Sequence, residues 1–403
     1  MSITPGPSEA SGCSPDSAAD AETRGAPVLI LTPDLRGNVG GVANYYNVLR
    51  LHELANVEYF HVNRAQTEPP LSRTVRLAAN YVRFAARLLR RDYALLHFNP
   101  SLNAKSFFRD GVFLLLARMS NAPRLIFFRG WEEPFAEKIG RRRVLRAFFR
   151  LTYGTGADYV VLGRRFADGL RRLGADRGRI FIETTVADAR PEPDRAPDEG
   201  VALARAVQRE PPGERAAALF MSRLLVSKGA RIAIDAVRLY RERRPPGLPS
   251  LELWIAGAGD DEPEIRAYVE RTSSDFVRFL GHVTGDAKWR ALEQADLFLF
   301  PTCYPEGLSN AVLEAMLHGL PIVTRPEGAL GEVLVDGVHG AVSPSTDPAY
   351  FADRLVALLG DRATYRRIAA RNRTEAEQRY TRDRVAARLL QIYATVRHPP
   401  PPH

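Results

Sequence analysis

Short apolar runs alternating with longer stretches of helical periodicity organise most of this chain. Val28 to Thr32, Tyr93 to Phe98, Arg124 to Phe128, Asp158 to Leu162 and Arg179 to Ile182 predict buried strands. So do Ala217 to Met221, Leu251 to Ala256, Val277 to Leu280, Leu297 to Phe300 and Ile322 to Thr324. Helical patterns lie between and after them, over Val42 to Leu54, Leu77 to Arg91, Lys138 to Arg150, Val312 to Leu317, Tyr350 to Leu359 and Val385 to Val396. Apolar strands separated by helices are what a parallel sheet covered on both faces requires. The rhythm breaks at Pro191, Pro193, Pro197, Pro211 and Pro212, which sit among charges, with a short helix expected at Val201 to Val207. The expected fold class is α/β, with two Rossmann-like doubly wound domains. The first covers residues 27–190, a linker 191–215, the second 216–380, and a last helix 381–397. Residues 1–26, rich in Ser, Ala, Pro, Gly and Asp, predict a disordered leader, and 398–403 a disordered tail.

Composition narrows the function classes. At 403 residues the chain can bury a core in each of two domains. Its best uncharged apolar run, Gly111 to Ala117, is far short of the roughly 20 residues that cross a bilayer. The first residues lack the basic start and apolar stretch of a signal peptide. Cys13 and Cys303 are too few for a disulfide framework or a cysteine zinc site, which fits a reducing cytoplasm. A net charge of +9 raises the question of nucleic acid, but the charge is overwhelmingly arginine, with lysine only at positions 105, 138, 228 and 288. Coding composition accounts for such a bias, and no nucleic-acid partner is expected. Two segments concentrate the arginines among apolar residues, Leu77 to Arg91 and Lys138 to Arg150. Basic amphipathic helices of this kind dock on anionic lipid headgroups. Solvated domain-surface helices are the equal alternative.

The chemistry concentrates in Tyr304 to Val323. The strand Leu297 to Phe300 closes at Pro301, Gly307 supplies a flexible loop, and Ser309 or Asn310 can cap a helix carrying Val312, Leu313, Met316 and Leu317. Gly319 ends that helix before the next strand. Strand, loop, helix and strand form a βαβ unit, whose ligand crevice lies beyond the carboxyl ends of its strands. Backbone N–H groups after Gly307 would face an anion there, assisted by the helix dipole. Glu306 would repel a bare phosphate, so its useful task is to accept hydrogen bonds from sugar hydroxyls. Glu314, about two turns on, can do the same for a ribose. The bland alternative is a loop charge and a solvated helix charge.

Other loops support a phosphate site. Arg223 and Lys228 follow the strand ending at Met221 and can clamp a diphosphate opposite the helix start. Gly37-Asn38-Val39-Gly40-Gly41 is a glycine loop after the first strand, weak evidence alone. Trp254 to Asp260 ends a strand in a glycine turn, but Glu262 occupies the third glycine position of a dinucleotide fingerprint.

Together these segments resemble the retaining glycosyltransferases of family 4 (glycosyl transferases group 1), which have the GT-B fold, two Rossmann-like domains facing each other across a cleft. The resemblance covers nearly all of the second domain, including Gly281-His282, Gly328 to Glu332 and Asp336 to Gly340, and is weaker in the first. It implies a nucleotide-sugar donor, no cofactor and no metal. It also implies that Glu306 contacts the donor sugar, that Glu314 contacts the ribose, and that Gly307, Leu308 and Ser309 offer amides to the diphosphate. Arg223 and Lys228 match the family's phosphate clamp, with Ser222 where a glycine is usual, and Gly40 and Gly41 face the donor from the first domain. The family's last helix crosses back to the first domain. Where many relatives carry a histidine beside the reacting sugar, this chain has Arg129-Gly130-Trp131. Arginine is no base near neutral pH. Arg129, Trp131, Glu132 and Glu133 are the acceptor-side candidates, with Trp131 able to stack on a sugar or to pack. The expected function is transfer of a sugar, with retention of configuration, to a glycan or lipid-linked acceptor of the cell envelope or an exopolysaccharide, at the inner face of the cytoplasmic membrane. A nucleotide-sugar epimerase of the same fold, or a sugar-nucleotide-binding or membrane scaffold without catalysis, is the alternative.

Overall fold

The computed structural model describes residues 25–36, 40–63, 70–175, 178–189 and 209–397. The leader up to residue 24, the Gly37 to Val39 part of the glycine loop, most of the linker with its expected helix, and the proline tail lie outside the described residues.

The first domain holds β1 (Val28–Pro33), β2 (Val57–Asn63), β3 (Leu95–Phe98), the short β4 (Ser101–Leu102), β5 (Arg124–Phe127), the short β6 (Gly130–Trp131), β7 (Ala157–Val161) and β8 (Ile180–Ile182). Six of these form a parallel sheet in the order β2-β1-β3-β5-β7-β8, while β4 and β6 pair apart. The second domain holds β9 (Arg215–Met221), β10 (Ser250–Ala256), β11 (Val277–Gly281), β12 (Leu297–Phe300), β13 (Ile322–Thr324) and β14 (Gly340–Val342), all parallel in the order β11-β10-β9-β12-β13-β14. Each order reverses once, between β1 and β3 and between β9 and β12. Loops leaving the two strands at a reversal diverge, so a crevice opens beyond their carboxyl ends.

Several elements differ from the sequence reading. β2 escaped because Glu58 and His61 interrupt its apolar residues, and β14 because three residues after a turn give no period. The helix Arg362–Arg379 escaped because it is polar nearly all round, its buried face including Asn372 and Glu375. The first helix, Gly41–Leu49, stops short of Leu54 because Arg50 turns left-handed at φ 46° while donating its N–H to Tyr46 O. Lys138 to Arg150 is not one helix but parts of two, Glu133–Arg141 and Arg143–Thr152, separated by an extended Arg142.

The helix Arg382–Arg397 lies on the first domain. His97, fully buried in β3, shares a 2.6 Å hydrogen bond between Nδ1 and Tyr393 Oη. Arg388 pairs with Glu183 at 2.9 Å, and Arg179 Nη1 donates to Thr395 O. Burial, aided by the charge of Arg129, pushes the His97 pKa down to about 3. The ring is therefore neutral at ordinary pH. Among the described residues no helix is long and apolar enough to cross a membrane.

Candidate donor site between the domains

The chain leaving β9 makes one turn of 3-10 helix, Val226–Lys228, fixed where Val226 N–H donates to Asp261 Oδ2 at 2.8 Å. That turn buries the Lys228 ammonium, which meets Glu306 Oε1 at 2.5 Å and lies 3.9 Å from the centre of the Tyr304 ring. The Thr302 hydroxyl donates to the same carboxylate oxygen at 3.2 Å and accepts Tyr304 N–H at 3.1 Å. Lys228 and Glu306 thus come from the two strands of the switch point, β9 and β12. Burial holds the Lys228 pKa below its ordinary value against the pull of Glu306, and the charge of Arg223 adds to the lowering. Arg223 is exposed on the same loop and makes no ion pair among the described residues.

The Glu306 main chain is set by the segment after β13. Gly328 sits at φ 58°, and a Cβ there would overlap the Glu306 carbonyl. Ala329 N–H then donates to Gly307 O at 3.2 Å. Gly307 serves a purpose other than flexibility: a Cβ would lie 2.9 Å from Arg129 O and 3.0 Å from Leu162 of the first domain. Only a bare backbone lets the domains approach this closely. Leu308 is buried. Ser309 occupies the cap position of the helix Asn310–Leu317, yet its side chain makes no capping bond, and Asn310 Oδ1 instead accepts the Thr185 hydroxyl at 2.6 Å.

Glu314 is not a solvated charge. It is 4% exposed, and Oε1 accepts from Lys288 Nζ at 3.0 Å. Lys288, on the helix Gly285–Gln294, also donates to Asp188 at 2.7 Å. Burial pushes the Glu314 pKa up to about 7 despite Lys288. The sequence reading missed Lys288 and Asp188, although Lys288 is one of only four lysines, the signal that singled out Lys228.

On the first-domain side, Gly40 and Gly41 open the helix after β1. Arg129 is anchored by its N–H to Pro100 O at 2.8 Å, and its guanidinium covers the rings of Tyr45 and Phe127 at 3.8 and 4.2 Å. Its Nη1 is buried with no hydrogen-bond partner among the described residues. Trp131 does not present a face for a sugar. It is 4% exposed between Phe128 and Phe166 and donates Nε1–H to Glu133 Oε2 at 2.9 Å, so packing is its role. Glu132 is exposed ahead of the helix Glu133–Arg141, and Glu133 also faces Arg172 at 3.7 Å. Glu332 was not a site candidate. It crosses to the first domain, where its carboxylate accepts the N–H groups of Arg164 at 2.6 Å and Arg165 at 3.0 Å, capping the helix Arg164–Leu173. A cavity of about 1020 Å³ opens beside this contact, with Leu162, Leu308 and Arg388 in its walls.

Residues 215–361 match the family described as Glycosyl transferases group 1. The phosphatidyl-myo-inositol mannosyltransferase of Mycobacterium leprae is 33% identical over 173 residues, 42% of this chain and 43% of that protein. The D-inositol 3-phosphate glycosyltransferase of Salinispora arenicola is 30% identical over 286 residues, 69% of this chain and 61% of that protein. The match thus spans less than half of the first of these relatives and under two thirds of the second. Among solved structures, Anabaena HepE in complex with UDP and glucose superposes with a TM-score of 0.65 at 16% identity, over 92% of this chain and 100% of the other. The sucrose-phosphate synthase of Thermosynechococcus elongatus does so with 0.70 at 17%, over 92% and 99%. Two parallel-sheet domains meeting at the carboxyl ends of their strands are the GT-B fold, and the second of them is similar to the glycosyl transferases group 1 over residues 215–361.

Proposed function

We propose that this chain moves a sugar from a nucleoside diphosphate sugar to a glycan or lipid-linked acceptor, with retention of configuration. The observation that carries the reading is the buried Lys228–Glu306 pair at the β9/β12 switch point, beside the uncapped start of the helix Asn310–Leu317. In this reading Glu306 orients the sugar hydroxyls. Arg223, Lys228 and the amides of Gly307 to Ser309 stabilise the charge that grows on the leaving diphosphate, electrostatic catalysis that needs no metal. Glu314, steadied by Lys288, accepts from the ribose. Gly40 and Gly41 face the phosphates from the first domain.

The acceptor hydroxyl attacks the anomeric carbon on the face the diphosphate leaves. The new carbon–oxygen bond forms as the old one breaks, and the hydroxyl proton passes to the departing diphosphate oxygen. Arg129 suits this route, because no protein base is required and its buried Nη1, unpartnered among the described residues, is ready for an anionic oxygen. Similarity to a lipid mannosyltransferase and to an amylovoran biosynthesis glycosyltransferase of Erwinia amylovora supports a cell-envelope or exopolysaccharide acceptor, handled at the cytoplasmic face of the membrane.

A thermal-shift screen with nucleoside diphosphates and their sugars tests the donor half, because selective binding raises stability by mass action. Stabilisation by one nucleoside diphosphate sugar, lost in Lys228→Ala, is expected. No shift with any of them refutes the site. Donor binding without transfer to any glycan or lipid acceptor supports the scaffold alternative.

A further inference from the structure

The large apolar side chains left in solvent are not scattered. Of the eleven that are exposed among the described residues, eight belong to three helices of the first domain and the turn after one of them. Val75, Val82 and Leu89 stand seven apart on the helix Pro70–Arg90, so two turns separate each from the next and all three project on one side. Phe108 and Leu115 repeat the spacing on the helix Ala104–Leu116, with Met119 just beyond, and Val144 and Leu151 repeat it on the helix Arg143–Thr152. Val144 is 80% exposed and Leu89 70%.

The three helices lie side by side. Tyr81 donates to Arg109 O and its ring meets Phe113, while Phe148 packs on Phe108. All three connect strands running in one direction across the sheet, so right-handed crossovers place them on one face. The helix Arg382–Arg397 covers the opposite face together with Gly41–Leu49, which connects β1 to β2.

Exposed arginines stand next to these apolar residues in sequence: Arg83 beside Val82, Arg90 beside Leu89, Arg118 beside Met119, Arg143 beside Val144 and Arg150 beside Leu151. The helices Pro70–Arg90 and Arg143–Thr152 contain no acid at all. Most acids nearby are already engaged, Glu58 by Arg87 and Arg91, Asp110 by Arg109, and Glu137 by Arg141, with Asp92, two residues past the helix Pro70–Arg90, the exposed exception.

We propose that this three-helix face docks on the surface of an anionic bilayer, its apolar side chains entering the acyl boundary and its arginines holding the headgroups. Charge complementarity selects that occupant. A second copy of the same face would set arginine against arginine, and a nucleic acid would leave Val82, Leu89 and Val144 without a partner. The inference deepens the reading of a lipid-linked acceptor but does not depend on the donor site, since vesicle binding and donor binding are read separately.

Sedimentation with vesicles of phosphatidylcholine alone, and of phosphatidylcholine mixed equally with phosphatidylglycerol, tests it. The chain is expected to pellet with the mixed vesicles only, less so at high salt. Leu89→Glu with Val144→Glu should release it into the supernatant, and Leu54→Glu, outside these helices, should not. Arg83→Gln and Arg143→Gln should each weaken binding by roughly fivefold. All these positions are exposed, so unchanged thermal unfolding checks that each variant is folded. Failure to pellet, equal pelleting with the neutral vesicles, or pelleting unaffected by the double variant overturns the proposal. A dimer in solution that Leu89→Glu dissociates also overturns it, in favour of self-association.

Discussion

Removing the Lys228 ammonium should damage stability and turnover by separate amounts, and a second substitution should divide the two. In Lys228→Ala the Glu306 carboxylate stays buried with only the Thr302 hydroxyl on its paired oxygen. Breaking a buried ion pair from one side costs about 3–5 kcal/mol, because a buried charge is left uncompensated. For a domain of this size that is a fall in Tm of roughly ten degrees. Loss of one preorganised group that stabilises developing charge costs a further ~2.7–4 kcal/mol in the transition state, or about 10²–10³ in kcat. The double variant Lys228→Met with Glu306→Gln removes both charges while keeping the volumes similar. Replacing a buried ion pair by neutral groups is often nearly neutral for folding. Most of the lost stability should therefore return, while turnover stays at least as low as in the single variant. Denaturant unfolding measures the first quantity, and donor-dependent release of nucleoside diphosphate in the presence of acceptor measures the second. Turnover within tenfold of wild type in Lys228→Ala, or turnover restored in the double variant, would refute the assignment.

Three other substitutions reach different parts of the molecule. His97 is neutral when folded, with a pKa near 3, but takes up a proton near pH 6.5 when unfolded, so the unfolded chain binds more protons between these values and stability falls as pH drops through that window. The loss is about 2 kcal/mol from pH 6.5 to 5, visible as a steeper acid dependence of urea unfolding than in His97→Asn, and parallel slopes would count against it. Gly328→Ala forces a side chain into the left-handed region against the Glu306 carbonyl, so it should cost about 1–3 kcal/mol and weaken the stabilisation by donor; an unchanged donor shift would mean that the Glu306 loop is set elsewhere. Glu332→Ala removes the cap that one domain places on the other, expected to cost about 1 kcal/mol and to speed amide exchange at Arg164 and Arg165, and protection equal to wild type would show that the cap does not hold the domains together.

Sequence periodicity reported what each segment buries locally, and it succeeded where burial is nearly continuous, as in β1, β9 and β12. It missed β2 and the helix Arg362–Arg379, whose buried positions include polar residues such as Asn372, which donates to Leu320 O and His339 O. Periodicity says nothing about contacts made only when domains meet, so the capping by Glu332 and the spacing task of Gly307 were out of reach. Trp131 was ambiguous for a related reason. An aromatic at a strand end can face a ligand or a neighbouring helix, and the helix carrying Phe166 settles it.

The electrostatics of the two glutamates were only half legible in the sequence. Taken alone, Glu306 and Glu314 repel the diphosphate they are meant to flank, and the sequence reading answered this by assigning both to hydroxyls. In the fold each is matched by a lysine, Glu306 by Lys228 and Glu314 by Lys288. The chain's other two lysines, Lys105 and Lys138, are exposed. A compact ammonium fits where a carboxylate and an aromatic ring already crowd the cation, as at Tyr304, whereas a planar guanidinium stacks across rings, as Arg129 does on Tyr45 and Phe127. Beside the donor diphosphate the Glu306 charge is thus balanced by Lys228, and Lys288 answers both Glu314 and Asp188, before Arg223, Arg129 and the helix amides are counted. The net positive field that would capture the donor is contributed by those groups, and Arg223, the exposed member of the clamp, would act on donor association as well as on the leaving diphosphate. Arg223→Gln should therefore lower the association rate and its salt dependence together with kcat, the kcat loss being smaller than that of Lys228→Ala because Arg223 is exposed, measured by stopped-flow binding of donor at two ionic strengths and by turnover. A kcat loss as large as that of Lys228→Ala, with an unchanged association rate, would show instead that Arg223 acts in the transition state alone.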